Sequence, residues 1–206
     1  MMATTHAYIG LAAAVASLPV TARVAPTTSV LLAAFVGGFV PDLDLVTSHR
    51  KTLHFPVLYP VAACALLGLS GVVGGQAVFV FGIALASSGL HSLSDVLGGG
   101  VGYEPWEQSS SKAVYNHVLG RWHRPRRIVR YSGAPEDFVL CAAVAIPVIL
   151  SPLLGPPVRA LLLATLVGSG VYAVSRRRLP GIAASLRSVL PATVIHRLPR
   201  IRFEDG

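Results

Sequence analysis

Long apolar stretches alternate with short polar ones along this chain. Residues 55–90 contain no Asp, Glu, Lys, Arg or His, enough chain for two bilayer crossings joined by a tight turn at Gly74-Gly75, since each span needs about 20 residues. Residues 7–41 repeat the pattern, with Arg23 as their only charge beside Pro19 and Pro26, where a turn between two short spans would fall. Residues 138–175 repeat it again, interrupted only by Arg159 in the turn signal Gly155-Pro156-Pro157. The expected architecture is all-α: an integral membrane bundle of about six helices arranged as three hairpins. It forms one membrane domain over 1–206, divided into a four-helix half (1–97), a polar cytoplasmic loop (98–136), a C-terminal hairpin (137–175) and a basic amphipathic tail (176–206) at the lipid surface.

A cleaved signal peptide is the competing reading of the N-terminus. No Lys or Arg precedes the first apolar run, so Met1 to His6 is taken as part of the fold. Composition agrees with a membrane protein: 53% hydrophobic residues, 13% charged and a mean hydropathy of +0.64 are too apolar for an ordinary soluble domain. Cys64 and Cys141 fall in different apolar runs without CxxC spacing, and read as small core residues.

Three hairpins impose a parity rule: odd helices begin, and even helices end, on one side. His6 then opens the first helix, Asp42 and Asp44 close the second, His49 and His54 precede the third, and His91 and Asp95 end the fourth. All seven meet on one face, and the opposite turns carry no such groups. Only Arg23 and Arg159 of the Lys and Arg residues fall on the far side, so the positive-inside bias makes the histidine and aspartate face cytoplasmic in a multi-pass inner-membrane protein. The net charge of +8 belongs to this rim and to anionic lipid headgroups, and no nucleic-acid partner is expected.

His91 and Asp95 are four apart, so on a helix they share a face and can grip one ion. Burying both at the end of an uncharged run costs free energy unless they are paired, protonated or metal-bound. Pro41-Asp42-Leu43-Asp44 stops an apolar helix and turns out two carboxylates, one to coordinate and one to orient a histidine or water; taken alone, it equally fits a plain terminating turn. His49 and His54 add imidazoles, and His6 returns to the same face. Imidazole with carboxylate suits zinc first, then Mn2+ or Fe2+. Arg50 is suited either to hold a phosphate or carboxylate or to anchor the positive-inside rim. His117, His123 and His196 read as solvated or interfacial, and Glu104 and Glu107 as loop carboxylates within possible reach of the site.

The order of these motifs resembles the YdjM-type family of inner-membrane metal-dependent hydrolases, over roughly the first half of the chain. That family's pattern is Gly-His near the start, Leu-Pro-Asp-Ile-Asp, Gly-His-Arg-x-x-Thr-His-Ser, and Ser-His-x-x-x-Asp followed by Thr-Pro. His6, Asp42, Asp44, His49, Arg50, His54, His91 and Asp95 fall on its polar positions. Thr-His-Ser is replaced by Leu53-His54-Phe55, and Thr-Pro by Leu97-Gly98, which removes hydroxyls but no ligand position. By analogy, zinc phospholipases C use His and Asp on helices to cleave phosphoesters.

The resemblance implies a membrane-bound metal-dependent hydrolase that cleaves an ester or phosphoester of a lipid-associated, anionic substrate through a metal-activated water. His6, Asp42, His49, His54, His91 and Asp95 are the expected metal residues, with Asp44 and Arg50 in catalytic support. The alternative is a non-enzymatic divalent-metal-binding or transport protein, although transporters usually keep such ligands near the midplane.

Overall fold

A computed structural model describes residues 1–102 and 104–189. Seven α-helices dominate it: α1 Ala3–Thr21, α2 Thr27–Phe39, α3 Leu58–Val73, α4 Gln76–Ser94, α5 Pro135–Leu150, α6 Pro156–Ser175 and α7 Leu179–Val189. The boundaries follow local chemistry. Gly74, at φ 64°, takes the left-handed conformation that ends α3. Pro135 and Pro156 start α5 and α6, where a missing N–H costs nothing.

Successive helices pack in antiparallel pairs, α1 with α2, α3 with α4, and α5 with α6, while α1 also contacts α4 and α5, and α2 contacts α4. The core they enclose runs through Tyr8, Leu11, Ala14, Leu18, Val30, Leu31, Cys141, Ala145 and Val148. Among the described residues, four stretches are long and apolar enough to cross a membrane: Ala3–Thr21, Thr27–Val46, Gln76–Leu97 and Pro156–Ser175. Large apolar side chains point outward on most helices, among them Leu32, Val61, Val72, Phe81, Val167, Val171 and Val174.

The centre of the bundle is drawn tight by small residues. A Cβ built on Gly37 would lie against the Ala84 backbone, and one on Gly38 would sit 2.6 Å from Ala7 Cα. Ser87 Oγ donates to Ala34 O (2.6 Å) and Ser88 Oγ to Gly37 O (2.9 Å). Close backbones clasped by serine hydroxyls are the packing that works where lipid removes any hydrophobic drive between helices.

Residues 98–136 are more ordered than a polar loop suggests. They contain a short helical turn at Pro105–Glu107 and a two-residue antiparallel pair, β1 Tyr115–Asn116 with β2 Arg121–Trp122. This segment folds back over one end of the bundle: Arg126 N and Val129 N donate to Val96 O and Leu97 O, and Tyr115 N donates to Arg50 O. Its own Ala113 and Val114 are fully buried. The tail is described only as far as α7; its continuation from residue 190, with His196, lies outside the described residues.

Gly37→Ala forces the α2 and α4 backbones apart. The expected cost is about 1–3 kcal/mol, the usual penalty of overpacking, read as a lower melting temperature in detergent; the same change at Gly68, where a Cβ meets open space, leaves it unchanged.

Candidate metal centre

Proline shapes the first part of the site. Pro41 follows α2 and the chain tightens into a 3-10 helix over Val40–Val46. With three residues per turn, Asp42 and Asp44 cannot share a face. They do different things. Asp42 turns towards His54 and His91, whereas Asp44 turns into the loop that follows.

That loop is wound around the Asp44 carboxylate. Oδ1 accepts from His49 Nδ1 (2.9 Å) and Arg50 N (3.3 Å), and Oδ2 from Leu53 N (3.2 Å) and His54 Nδ1 (2.9 Å). The winding drives Arg50 into the left-handed region, φ 62°, which costs a non-glycine residue about 1–2 kcal/mol and is sustained by these bonds. The sequence expectation of catalytic support from Asp44 meets a buried carboxylate that orients two imidazoles.

The other two ligand candidates come from the end of α4. His91 lies in its last turn and Asp95 opens the 3-10 turn Asp95–Leu97, so the i,i+4 spacing keeps both on one side. Asp42, His54, His91 and Asp95 form a group able to hold a metal ion. His54 Nε2 lies 3.2 Å from His91 Nε2, 3.3 Å from Asp95 Oδ2 and 3.8 Å from Asp42 Oδ1. His91 Nε2 lies 3.4 Å from Asp42 Oδ1 and 3.5 Å from Asp95 Oδ2. A tetrahedron with arms of about 2.0–2.1 Å has edges of about 3.3–3.4 Å. The observed spacings bracket that edge.

Hydrogen bonding fixes which ring nitrogens face inward. His91 Nδ1 is 2.7 Å from the carbonyl of Gly38, which can only accept, so Nδ1 carries the proton and Nε2 of the neutral ring presents a lone pair. His54 is held likewise by Asp44. Two lone pairs 3.2 Å apart repel unless a proton or a cation lies between them. Asp95 Oδ2, facing both rings, is buried without a hydrogen-bond partner among the described residues. An unsatisfied carboxylate oxygen beside two imidazole nitrogens is a donor set suited to a cation.

The second Asp95 oxygen is heavily served. Oδ1 accepts from the Met1 amine (2.8 Å), His6 Nε2 (3.0 Å) and Arg50 Nη2 (3.1 Å). His6 also stacks on His91 with ring centroids 3.7 Å apart. Arg50 Nη1 donates to Gly99 O (2.7 Å), so this guanidinium is a buried brace, 4% exposed. His6 is held in register by a knot at the start of α1, where fully buried Asp137 accepts from Met2 N, Thr5 Oγ1 and Gly133 N.

The eight residues singled out in the sequence thus converge, in two tiers. Four present atoms to a common point; His6, Asp44, His49 and Arg50 surround them. Glu104 and Glu107 are exposed and belong to no ligand group among the described residues. His117 packs on Phe55, and His123 is bonded to Asn116. Burial pulls the pKa of His54 down, but its bond to Asp44 and the negative charge of Asp95 nearby outweigh this and leave it above the ordinary imidazole value. For His49 burial prevails over the Asp44 bond, and the pKa falls below that value.

A cavity of about 410 Å3 opens beside the group, lined by Asp42, His49 and Arg50 on one side and by Thr165, Gly168, Ser169, Tyr172 and Arg176 on another. Of the four ligand candidates only Asp42 reaches its wall, with a side chain 14% exposed against 0–1% for the others. The second set was not singled out from the sequence. Its signal was present as a small and polar stripe at i, i+3, i+4 and i+7 along α6, diluted by the leucines and valines between.

Asp44→Asn removes the charge that orients His54 while sparing every ligand atom. Metal affinity is expected to fall about 10–100-fold, measured by competition with a chromogenic chelator, with the helical circular dichroism retained. No protein-family model, curated protein or solved structure matches this chain.

Proposed function

We propose that this chain is a multi-pass protein of the cytoplasmic membrane that hydrolyses an ester or phosphoester of a lipid-associated substrate at a divalent-metal site. The observation that carries the reading is the inward-facing set of two imidazole lone pairs and two carboxylate oxygens, spaced for one small ion and placed against a cavity. Zinc suits two imidazoles and two carboxylates at these spacings, with Mn2+ and Fe2+ as alternatives. The ordered motifs shared with the YdjM-type hydrolases support the same assignment.

Four apolar stretches of spanning length and the outward-facing Leu, Val and Phe side chains support the membrane setting; in water they would form a sticky surface. Six helices in three hairpins give the parity that gathers the site at one rim, and the Arg and Lys excess on that rim supports a cytoplasmic orientation.

A divalent ion there supplies Lewis-acid polarisation of the scissile oxygen and lowers the pKa of a water molecule. The protein's own groups do the rest. His54, His91 and Asp95 are immobilised by Gly38, Asp44, Arg50 and His6, so their donor atoms stay aimed without reorganisation. His49 is the one imidazole of the cluster on the cavity wall. With Nδ1 committed to Asp44, its Nε2 is left to take a proton from attacking water and return it to the departing alkoxide.

A second reading also has an observation in its favour. Four protein ligands complete a tetrahedron, as structural zinc sites do, and a non-enzymatic metal-binding or transport protein would need no more. Activity separates the two.

The deciding measurement is metal content of the detergent-purified protein, alongside hydrolysis of a panel of phospholipids and lipid phosphates. Wild type is expected to hold metal, His91→Ala to lose it together with hydrolysis, and Asp42→Ala to hold it more weakly; unchanged metal affinity in both variants refutes the ligand assignment. His49→Gln is expected to keep the metal and lose about 10²–10⁴-fold in kcat, the usual contribution of a positioned base. Retained metal with no hydrolysis by wild type across the panel favours the non-enzymatic reading.

A further inference from the structure

Three walls of different character enclose the cavity. One is the rim of the metal group, with Asp42, His49 and Arg50. A second is a single face of α6 and its C-cap, where Thr165, Gly168, Ser169, Tyr172 and Arg176 follow one another at helical spacing; the chain from Met1 to Thr4, at the start of α1, closes the floor between them. The third comes from the 98–136 segment, through Gly100 to Gly102, Pro105 and Ser132. Helices α1 and α6 meet mainly through polar clasps: Tyr8 Oη donates to Leu162 O (2.5 Å) and lies 2.6 Å from Thr165 Oγ1, and Ser169 Oγ donates to Thr4 Oγ1 (2.8 Å). Otherwise α6 leans on α5, and its outer face carries exposed Leu163, Val167, Val171 and Val174.

Two further features point to an occupant. The buried Arg50 Nε–H has no hydrogen-bond partner among the described residues, and its residue lines the cavity. Arg176, with its guanidinium over the Trp106 ring (5.2 Å), lines it too. Two arginines line the chamber beside the single carboxylate of Asp42, which a divalent ion would neutralise, and this makes it complementary to an anion. At about 410 Å3 the chamber is near the lower end of the roughly 300–1,000 Å3 of small-molecule sites. It has room for a phosphorylated headgroup and the beginning of one chain, and the remaining hydrocarbon must leave along α6.

We infer that the cleft between α1 and α6 is the binding groove of this same site for a lipid phosphate, with the phosphate held between Arg176, Arg50 and the metal rim and the first methylenes of its chain laid against Gly168 and Tyr172. The inference rests on the hydrolase reading for the nature of the site, though binding is separable from catalysis. Gly168 provides the test, because a Cβ there meets open space. A leucine fills the groove without displacing backbone.

Binding of dihexanoylphosphatidic acid and of inorganic phosphate to the zinc-equilibrated full chain in detergent is measured by calorimetry, for wild type, Gly168→Leu and Arg176→Gln. Gly71→Leu is the control, being equally unobstructed but on α3. Gly168→Leu is expected to weaken the lipid about tenfold, the equivalent of roughly two displaced methylenes, and to leave inorganic phosphate and bound zinc unchanged. Arg176→Gln is expected to weaken both ligands about tenfold, and Gly71→Leu neither. Lipid affinity unchanged in Gly168→Leu, with zinc retained, overturns the groove while leaving the metal reading intact. Lipid binding that is sensitive to Gly168→Leu but indifferent to zinc upholds the groove and removes the metal site from it.

Discussion

Two imidazole nitrogens, His54 Nε2 and His91 Nε2, stand 3.2 Å apart facing each other, and the rest of this structure is arranged to keep them there. Neither ring can escape by changing tautomer at no cost. His91 would have to abandon a carbonyl that only accepts, and His54 would have to turn a bare nitrogen towards Asp44. Two carboxylate oxygens complete the group, one of them buried and unpaired. In a medium of low polarity such a set is stable only when a positive charge sits among its members. The glycines that let α1, α2 and α4 approach, the serines that clasp them and the buried Asp137 knot all serve to hold fixed an arrangement that side chains alone would relieve.

The two ends of Asp95 show how the charges are apportioned. Its outer oxygen meets an amine, an imidazole and a guanidinium, which together overcompensate one negative charge. Its inner oxygen meets only ring nitrogens. Orientation and coordination are therefore divided between two atoms of one side chain, just as they are divided between Asp42 and Asp44 along one 3-10 helix. A carboxylate anchored at one oxygen costs little entropy when the other coordinates.

Helical parity explains why so much of the site was legible in the sequence. Apolar runs of spanning length and the position of each polar residue at a run's end suffice to bring His6, Asp42, His54, His91 and Asp95 to one rim without knowledge of packing. The division of labour was not legible. Asp42 and Asp44 look alike as letters, and only the tightening of the helix at Pro41 sends them different ways. Arg50 reads as a residue for an anionic substrate or an anchor, and is found braced between Asp95 and Gly99. The order in residues 98–136 depends on backbone bonds to Val96, Leu97 and Arg50, which leave no trace in polarity. The α6 stripe was hidden because its Thr, Gly and Ser carry no charge and are spaced among leucines and valines that keep the whole run apolar.

The four candidate ligands are not equivalent, and this inequality bears on what the site can do. His54, His91 and Asp95 are each secured by a second bond and lie almost wholly out of reach of solvent. Asp42 sits on the short helix after Pro41, carries the only appreciable exposure of the four and forms part of the cavity wall. A metal that serves structure alone gains nothing from having one ligand at an opening, whereas a catalytic zinc uses three protein ligands and keeps a fourth position exchangeable. On the proposed reading, His54, His91 and Asp95 would hold the ion, and Asp42, on the cavity wall, would be the ligand that can give way to water or a phosphate oxygen. The difference between a structural and a catalytic site would then rest on this one side chain.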